Sequence, residues 1–343
     1  MNTHFEIINY FRGFSIFTIV LMHLLQGNRW IPSIMDKALS FGGAGVHVFI
    51  LVSGFGLYLS HLRNPLIYTR FLKKRFTKVY TPYAILVVAW FLWFGFSQHD
   101  WKVEELLSHL LLYKMFSSEL DVSLCHPYWF ISTIIQFYLA WPILVRLARL
   151  NGEKIQNIGM IISLIISLIW ATIVGFLGYE DLRPWGSNCI QYLWEFVLGM
   201  WLAEKYYDSP QIFKVRDFNG WILLLIAAIC MGVTGIMAWN GGFLNLYNDI
   251  PSLMGYLSVA LLIYKLNIKT LNSFFSYTNS IGYEWYLLHS LIFTIVLAYL
   301  YITPSRWLEL ILCFVIPYLI AILYHLFFLN RNQSKKTPNL SSY

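Results

Sequence analysis

Apolar residues along this chain are grouped in ten runs of about 18 to 25 residues, separated by short polar segments. An α-helix rises 1.5 Å per residue, so about 20 apolar residues cross the hydrocarbon core of a bilayer. The runs therefore predict about ten transmembrane helices, at residues 7–26, 41–60, 79–97, 127–145, 157–177, 187–204, 218–239, 250–266, 281–300 and 307–329. The predicted fold class is an all-α polytopic membrane protein.

The composition agrees with that pattern, because 58% of the residues are hydrophobic and only 12% are charged. Soluble domains carry about 25% charged residues, so a soluble globular class is excluded. No linker-like segment separates the runs, and we expect one transmembrane domain over residues 1–330 with a short polar cytoplasmic tail at 331–343. The first run has neither a basic start nor a small-residue cleavage site after it, so we expect it to remain in the mature protein.

Lysine and arginine are distributed unevenly between alternate segments. Seventeen of the 24 basic residues lie in one set of segments, six lie in the other set, and Arg12 lies inside the first run. Basic segments are retained on the cytoplasmic side of a membrane, so both termini are predicted to be cytoplasmic. The net charge of +7 then reflects membrane orientation, and no nucleic-acid partner is needed to explain it.

Residues 101–117 form the one long polar connection with helical periodicity. One face carries Val103, Leu106, Leu107 and Leu110, and the other carries Lys102, Glu105, Ser108 and His109. This arrangement predicts an amphipathic helix on the outer surface.

Cysteine and histidine spacing indicates no metal site, because no Cys-x-x-Cys or His-Glu-x-x-His pattern occurs. Cys125 and Cys189 both fall near the predicted outer face, where a disulfide could form in an oxidising compartment. Two unrelated thiols are the alternative, since spacing alone cannot bring them within bonding distance.

Arg12 and His23 are the ionisable residues of the first run. Eleven residues at about 100° each leave an offset of about 20°, so the two side chains share one helix face about 16 Å apart. An arginine at the centre of a span costs about 2.5 to 3.5 kcal/mol, and such groups usually face a cavity or a pathway. The alternative is that Arg12 reaches the inner headgroups and His23 lies at the outer rim.

Four further motifs follow in order along the chain. They are GVHVFILVSGFGLY at 45–58, YTRFLKKRFTKVYTPY at 68–83, HPYWFISTIIQFYLAWPIL at 126–144 and SIGYEWYLLHSLI at 280–292. With Arg12 and His23, this ordered set resembles the acyltransferase 3 family of integral membrane acyltransferases. The chain departs from the family pattern at three positions, where Ile50 replaces a phenylalanine, Lys78 replaces the commoner arginine and Gln136 replaces a glutamate.

The resemblance implies an enzyme that transfers an acyl group, usually acetyl, from cytoplasmic acyl-CoA to a hydroxyl of a carbohydrate. Acetyl-CoA would be a co-substrate, with no permanently bound cofactor. The acceptor would be a polysaccharide, a lipopolysaccharide or a lipid-linked glycan of a bacterial cell envelope, and the enzyme would lie among the lipids of the cell membrane. The resemblance implies a catalytic site of His23 as general base with Arg12, a CoA-binding set of Arg70, Arg75 and Lys78, and a site lining of Ser53, Trp129, Gln136, Tyr138, Glu284 and His289.

Each candidate residue also has a structural interpretation. The basic loop could serve only to set the orientation, Ser53 could serve helix packing, and His47 is interpreted as structural. Tyr128, Trp129 and Tyr138 offer faces for sugar stacking but are more often packing residues. Glu195 is an ionisable group in a predicted span, which makes it a functional candidate or a structural hydrogen-bonding partner. Glu284 and His289 are offset by about 140° on a helix, so they cannot address one point from the same face.

Two other classes of function are compatible with the chain. A secondary transporter of a sugar or acyl-sugar would also carry intramembrane ionisable residues, although no internal repeat of the transporter kind occurs. A non-catalytic membrane scaffold on the same frame is the second, and Gln136 is its main support. The sequence leaves open which sugar is modified, whether the group is acetyl or longer, and whether transfer is direct or passes through a covalent intermediate.

Overall fold

Helices occupy every apolar run of the chain in the computed structural model. The structure describes residues 3–26, 39–98, 101–121, 123, 126–150, 157–210, 217–299 and 306–334, and these residues contain no strand. The helices are α1 (Thr3–Leu25), α2 (Gly45–Arg63), α3 (Tyr68–Arg75), α4 (Thr81–Gln98), α5 (Val103–Leu110), α6 (Ser118–Asp121), α7 (Trp129–Leu139), α8 (Trp141–Ala148), α9 (Ile158–Phe176), α10 (Arg183–Gly186), α11 (Leu193–Asp208), α12 (Gly220–Asn240), α13 (Asp249–Lys265), α14 (Lys269–Ser280), α15 (Gly282–Tyr299) and α16 (Arg306–Ser334). The all-α prediction is confirmed for the part of the chain described.

Among the described residues, five helical segments are long and apolar enough to cross a membrane: Glu6–Leu25, Phe41–Arg63, Tyr68–Phe96, Ile158–Phe176 and Gly220–Asn240. The bent pair His126–Leu139 and Trp141–Ala148 would make a sixth if it forms one span. Helices α11 and α13 have 16 and 17 residues, which is short for the hydrocarbon thickness. The chain is thus a helical membrane protein, and the count of ten spans remains a prediction.

The chain divides into two compact units. The terminal unit comprises Met1–Gly43 with Ile268–Tyr343, and the central unit comprises Ala44–Asn267. Within the terminal unit, α1 packs along α14, and α15 packs along α16. Aromatic rings fill the first of these contacts, because Phe275 meets Tyr10 and Phe14 edge-on at centroid distances of 5.4 and 5.2 Å. Helix α1 therefore has a fixed orientation within the unit that contains α15.

In the central unit, α2 packs along α11, and glycines permit the contact. A Cβ atom on Gly54 would lie 2.1 Å from the carbonyl oxygen of Phe196, and one on Gly199 would lie 1.9 Å from that of Leu51. These separations leave no room for a methyl group, so the two backbones touch along this line. The glycine of the Ser53–Gly54 pair is thus explained by helix packing.

We predict that Gly54→Ala and Gly199→Ala each lower the free energy of unfolding by about 1 to 3 kcal/mol, because the backbones must separate to admit the methyl group. Thermal unfolding of the purified protein in detergent, followed by tryptophan fluorescence, measures this change. Gly232→Ala in α12 is the matched control, since a Cβ atom there meets no atom within 4 Å. Equal unfolding temperatures in all three variants would contradict the close contact of α2 and α11.

A π-helical turn at Phe76–Tyr80 joins α3 to α4. It follows the basic helix directly, with Arg75 at its N-terminal side and Lys78 within it. Turns of this type are rare and are found often at functional sites. At the other end of the chain, α16 continues through Ser334, so the first residues of the predicted tail are helical, and residues 335–343 lie outside the described part.

The predicted surface helix is present as α5, but its burial differs from the prediction. Ser108 and His109 are fully buried, whereas Val103 and Leu107 are 52% and 44% exposed. The reason is a polar cluster in which the Tyr83 hydroxyl lies 2.9 Å from Nδ1 of His109. Burial, reinforced by the charge of Lys114, lowers the pKa of His109 to about 3, so the ring is neutral at physiological pH.

Cys125, which the sequence predicts near the outer face, lies outside the described residues. Its pairing with Cys189 therefore remains a prediction.

Candidate active site

His23 lies in contact with His289 in the terminal unit. Nδ1 of His23 is 3.0 Å from Nε2 of His289, and the rings are stacked with centroids 5.2 Å apart. His289 is completely buried on α15, and His23 is half-buried near the C-terminal end of α1. The structure thus brings together two predicted site residues that are 266 positions apart in sequence.

The backbone decides which ring nitrogens of this pair carry protons. Nδ1 of His289 lies 2.6 Å from the carbonyl oxygen of Tyr286. A carbonyl oxygen only accepts, so Nδ1 of His289 is the donor and Nε2 of the neutral ring is an acceptor. Nδ1 of His23 must then donate to His289, which leaves Nε2 of His23 as the nitrogen with the lone pair. This is the tautomer that a general base requires.

Helix α1 carries Arg12 toward its other end, three turns from His23. The Arg12 side chain is half-buried. Glu284, also half-buried, interacts electrostatically with Tyr324 of α16. Of the two candidates on α15, His289 is the one that contacts His23. Glu284 is offset from His289 by about 140° around the helix, which is too far for both side chains to face one point.

The predicted CoA-binding residues lie at α3 and the π-helical turn in the central unit. Arg70 and Lys78 are exposed to solvent, whereas Arg75 is half-buried with its guanidinium 5.7 Å from the ring centre of Phe71. In the part of the chain that the structure describes, the buried Nε of Arg75 has no hydrogen-bond acceptor. Tyr138 interacts electrostatically with Arg75 and packs edge-on against Phe71. The candidate site residue Tyr138 therefore lies next to the basic helix α3.

Trp129 and Tyr138 occupy opposite ends of α7, about 13 Å apart along the helix axis. They do not form one stacking surface. The ring centroids of Trp129 and Tyr192 are 6.4 Å apart, and the Arg183 guanidinium lies 5.2 Å from the ring centroid of Trp129. Gln136, between them, accepts a hydrogen bond from the Cys189 backbone at 3.0 Å and holds the turn that precedes α11. Ser53 is half-buried in α2 beside the close helix contact.

A second group of ionisable residues lies in the central unit, and the sequence analysis did not predict that these residues contact one another. Nδ1 of His47 is 2.7 Å from Oε1 of Glu195, and its Nε2 is 3.9 Å from Oδ1 of Asp249. His47 and Glu195 were recognisable as ionisable residues inside predicted spans, but Asp249 was assigned to a loop. Their contact depends on helix packing, for which the sequence carries no signal.

Among the described residues, no group of three or more His, Cys, Asp or Glu side chains is arranged to hold a metal ion. The described sites offer imidazole, carboxylate and guanidinium groups. The tautomer of His23 suits proton transfer, and the exposed cations of α3 suit an anionic ligand.

Comparison with known proteins identifies the family. No curated protein and no solved structure matches the chain at a significant level. The profile of the acyltransferase 3 family, described as an acyltransferase domain, matches residues 5–326, which is nearly the whole chain and includes both histidines of the pair. With its apolar helices and its oriented imidazole, this chain belongs to the acyltransferase 3 family and is a membrane acyltransferase.

Proposed function

We propose that this protein transfers an acetyl group from cytoplasmic acetyl-CoA to a hydroxyl of a carbohydrate at the cell envelope, with His23 as the general base. The observation that carries the proposal is the chain of contacts from His23 through His289 to the Tyr286 carbonyl oxygen, because it leaves Nε2 of His23 as the proton acceptor. The family match supports the reaction class.

A thioester is already activated, so the main requirement is removal of a proton from the attacking hydroxyl. In a direct transfer, the hydroxyl oxygen forms a bond to the thioester carbonyl carbon and the carbon–sulfur bond breaks. The hydroxyl proton passes to Nε2 of His23, and the same imidazolium then protonates the departing CoA thiolate. His289 acts as a positioning residue, since it holds the ring of His23 in the required tautomer.

Acetyl-CoA brings several phosphate charges, and α3 with the π-helical turn supplies cations for them. Arg75 suits a direct contact, because its buried Nε already lacks an acceptor and a guanidinium binds phosphate with fixed geometry. Arg70 and Lys78 are exposed and complete the set. We place Arg12 at the inner end of the path that the acyl group follows.

Replacing Arg75 and Lys78 together by glutamine should raise the KM for acetyl-CoA while kcat stays largely unchanged, because contacts to the CoA phosphates are equal in the ground and transition states. Each charge-assisted contact contributes about 1.5 to 3 kcal/mol, so KM should rise at least about 10-fold. The effect should weaken in 1 M salt, where the Debye length is about 3 Å. Initial rates against acetyl-CoA concentration measure it.

Lys73→Gln with Lys74→Gln is the matched control, since both lysines are exposed on α3 but lie outside the family pattern. Unchanged KM in the Arg75 and Lys78 variant, together with misoriented protein, would mean that the loop only sets membrane orientation.

We also propose that the chain spans the membrane ten times, with both termini in the cytoplasm. The cell would carry an envelope polysaccharide. Reporters fused after Tyr343 and inserted at 68–78 should both be cytoplasmic, and one inserted at 101–121 should be external, because basic residues concentrate on the predicted inner side. Alkaline phosphatase and green fluorescent protein fusions distinguish the two locations. A cytoplasmic signal from the 101–121 fusion would contradict the ten-span topology.

The deciding experiment supplies purified full-length protein with acetyl-CoA labelled in the acetyl group and with four methyl glycosides, those of glucose, galactose, mannose and N-acetylglucosamine. Free CoA thiol and a labelled ester should appear in equal amounts. If thioester and label both remain intact, the protein is not an acyltransferase of this type. Uptake of labelled glycoside into vesicles without ester formation would indicate the transporter function instead.

A further inference from the structure

A polar cavity of about 350 Å³ opens in the central unit. Its walls come from four separate stretches: His47 of α2, the segment 180–187, the turn before α11 at 191–192, and the segment 245–252. His47 and the lining residues at 187, 191–192 and 252 lie near the outer ends of their predicted spans, and the other lining residues fall on the outer side in the topology predicted from the basic residues. The cavity is therefore placed where an external molecule could reach it.

A hydrogen-bonded network forms one wall of this cavity. Nε2 of Gln191 donates to Oδ2 of Asp249 at 2.7 Å and to the carbonyl oxygen of Leu246 at 2.8 Å. On the other side of Asp249, His47 lies 3.9 Å away and is itself bound to Glu195. The network fixes the side chains that face the cavity and leaves lone pairs on the carboxylates for a further donor.

Two buried oxygens of this network have no hydrogen-bond donor among the residues that the structure describes. Oε1 of Gln191 has none, and the residue is only 3% exposed while lining the cavity. Oε2 of Glu195 has none, and Glu195 is completely buried behind His47. A buried acceptor left unpaired is unfavourable, so a ligand in the cavity that offers a hydroxyl or amine hydrogen to Gln191 would relieve that cost.

Aromatic rings lie beside the polar wall. Tyr192 lines the cavity, and its ring centroid lies 5.7 Å from that of His47 and 6.4 Å from that of Trp129. Flat rings next to oriented carboxylate and amide groups suit a ligand with both apolar C–H faces and hydroxyl groups. The carboxylates of Glu180, Asp181 and Asp249 would repel an anion, and Arg183 on the same wall disfavours a simple cation.

We propose that this cavity binds a saccharide, whose hydroxyl groups donate to Asp249 and Gln191 while a ring face lies against Tyr192. The identification of the saccharide as the acceptor rests on the proposed function, whereas its binding does not. Asp249, Gln191 and His47 then act as specificity-determining residues.

Saturation-transfer NMR on the full-length protein in nanodiscs, without acetyl-CoA, tests the site with the same four methyl glycosides. At least one glycoside should bind the unmodified protein, and Asp249→Asn and Gln191→Leu should each weaken its binding about 10-fold or more. Glu180→Gln, an isosteric change at the accessible rim, should weaken binding without affecting folding. Asp208→Asn, an exposed aspartate at the end of α11, is the matched control and should bind normally.

Absence of binding by all four glycosides would overturn the proposal, as would normal binding by the Asp249, Gln191 and Glu180 variants. Binding of tetramethylammonium without binding of any glycoside would assign the cavity to a cation and would also overturn the proposal. Acyl transfer is measured on the same variants. If glycoside binding depends on Asp249 but no acyl transfer occurs, only the proposed function is refuted. If acyl transfer occurs and the KM for the acceptor is unchanged in the Asp249 variant, only the cavity site is refuted.

Discussion

Replacing His23 by alanine should lower the rate of acyl transfer about 100- to 10,000-fold, which is the usual contribution of a general base. Nε2 of His23 is the proton acceptor that its hydrogen bond to His289 defines, whereas Nε2 of His289 already accepts the Nδ1–H of His23. The KM for acetyl-CoA should change little, because His23 acts on the hydroxyl in the transition state. Release of CoA thiol and formation of labelled ester measure the loss.

His325→Ala is the matched control for this variant, since it removes another half-buried histidine of the terminal unit, on α16. Its turnover should be close to that of the unmodified protein. Membrane insertion and expression of both variants should be normal. Near-normal turnover in the His23 variant would refute the assignment of the base.

Replacing His289 by leucine should lower kcat by at least about 100-fold, and up to the roughly 10,000-fold seen when a triad histidine loses the partner that fixes its tautomer. Leucine removes the acceptor for Nδ1–H of His23, so the base can rotate or protonate on the wrong nitrogen. The KM for acetyl-CoA should stay within about 3-fold of the original value, since His289 contacts His23 and not the donor. Steady-state kinetics separate the two constants.

His289→Gln is the informative companion, because the amide oxygen of glutamine can accept a hydrogen bond near the position of Nε2. It should restore a substantial part of the activity that leucine removes. A purely structural role for His289 would make both variants equally unstable and equally inactive. Equal kcat values for glutamine and leucine variants with unchanged thermal unfolding would show that tautomer control is not its function.

Sequence periodicity predicted the helices well, because a long apolar run has few alternatives to a helix in a membrane. It also predicted that Arg12 and His23 share a face, since that relation lies within one helix. The partner of His23 could not be predicted, because His289 is 266 residues away and helical spacing carries no information about which helices touch. The pairing of His47 with Glu195 is hidden for the same reason.

The segment at 101–117 shows a different limit of prediction from the sequence. Periodicity predicted a helix over 101–117, of which the structure forms an α-helix at Val103–Leu110, and it assigned His109 to the water-facing side. A histidine is polar enough to face water and apolar enough to be buried once a tyrosine and a serine supply hydrogen bonds. Tertiary partners, rather than the amphipathic pattern, decided which face of α5 is buried.

The π-helical turn at Phe76–Tyr80 amounts to one inserted residue in an otherwise continuous helical rod from Tyr68 to Gln98. Each residue of an α-helix advances the side-chain direction by about 100°, so the insertion changes the phase of everything before it relative to everything after it. A chain shortened by one residue here would relax into a plain α-helix. Phe71 and Arg75, which both precede the turn, would then rotate together relative to α4, so the number of residues in the turn encodes an angle as well as a distance.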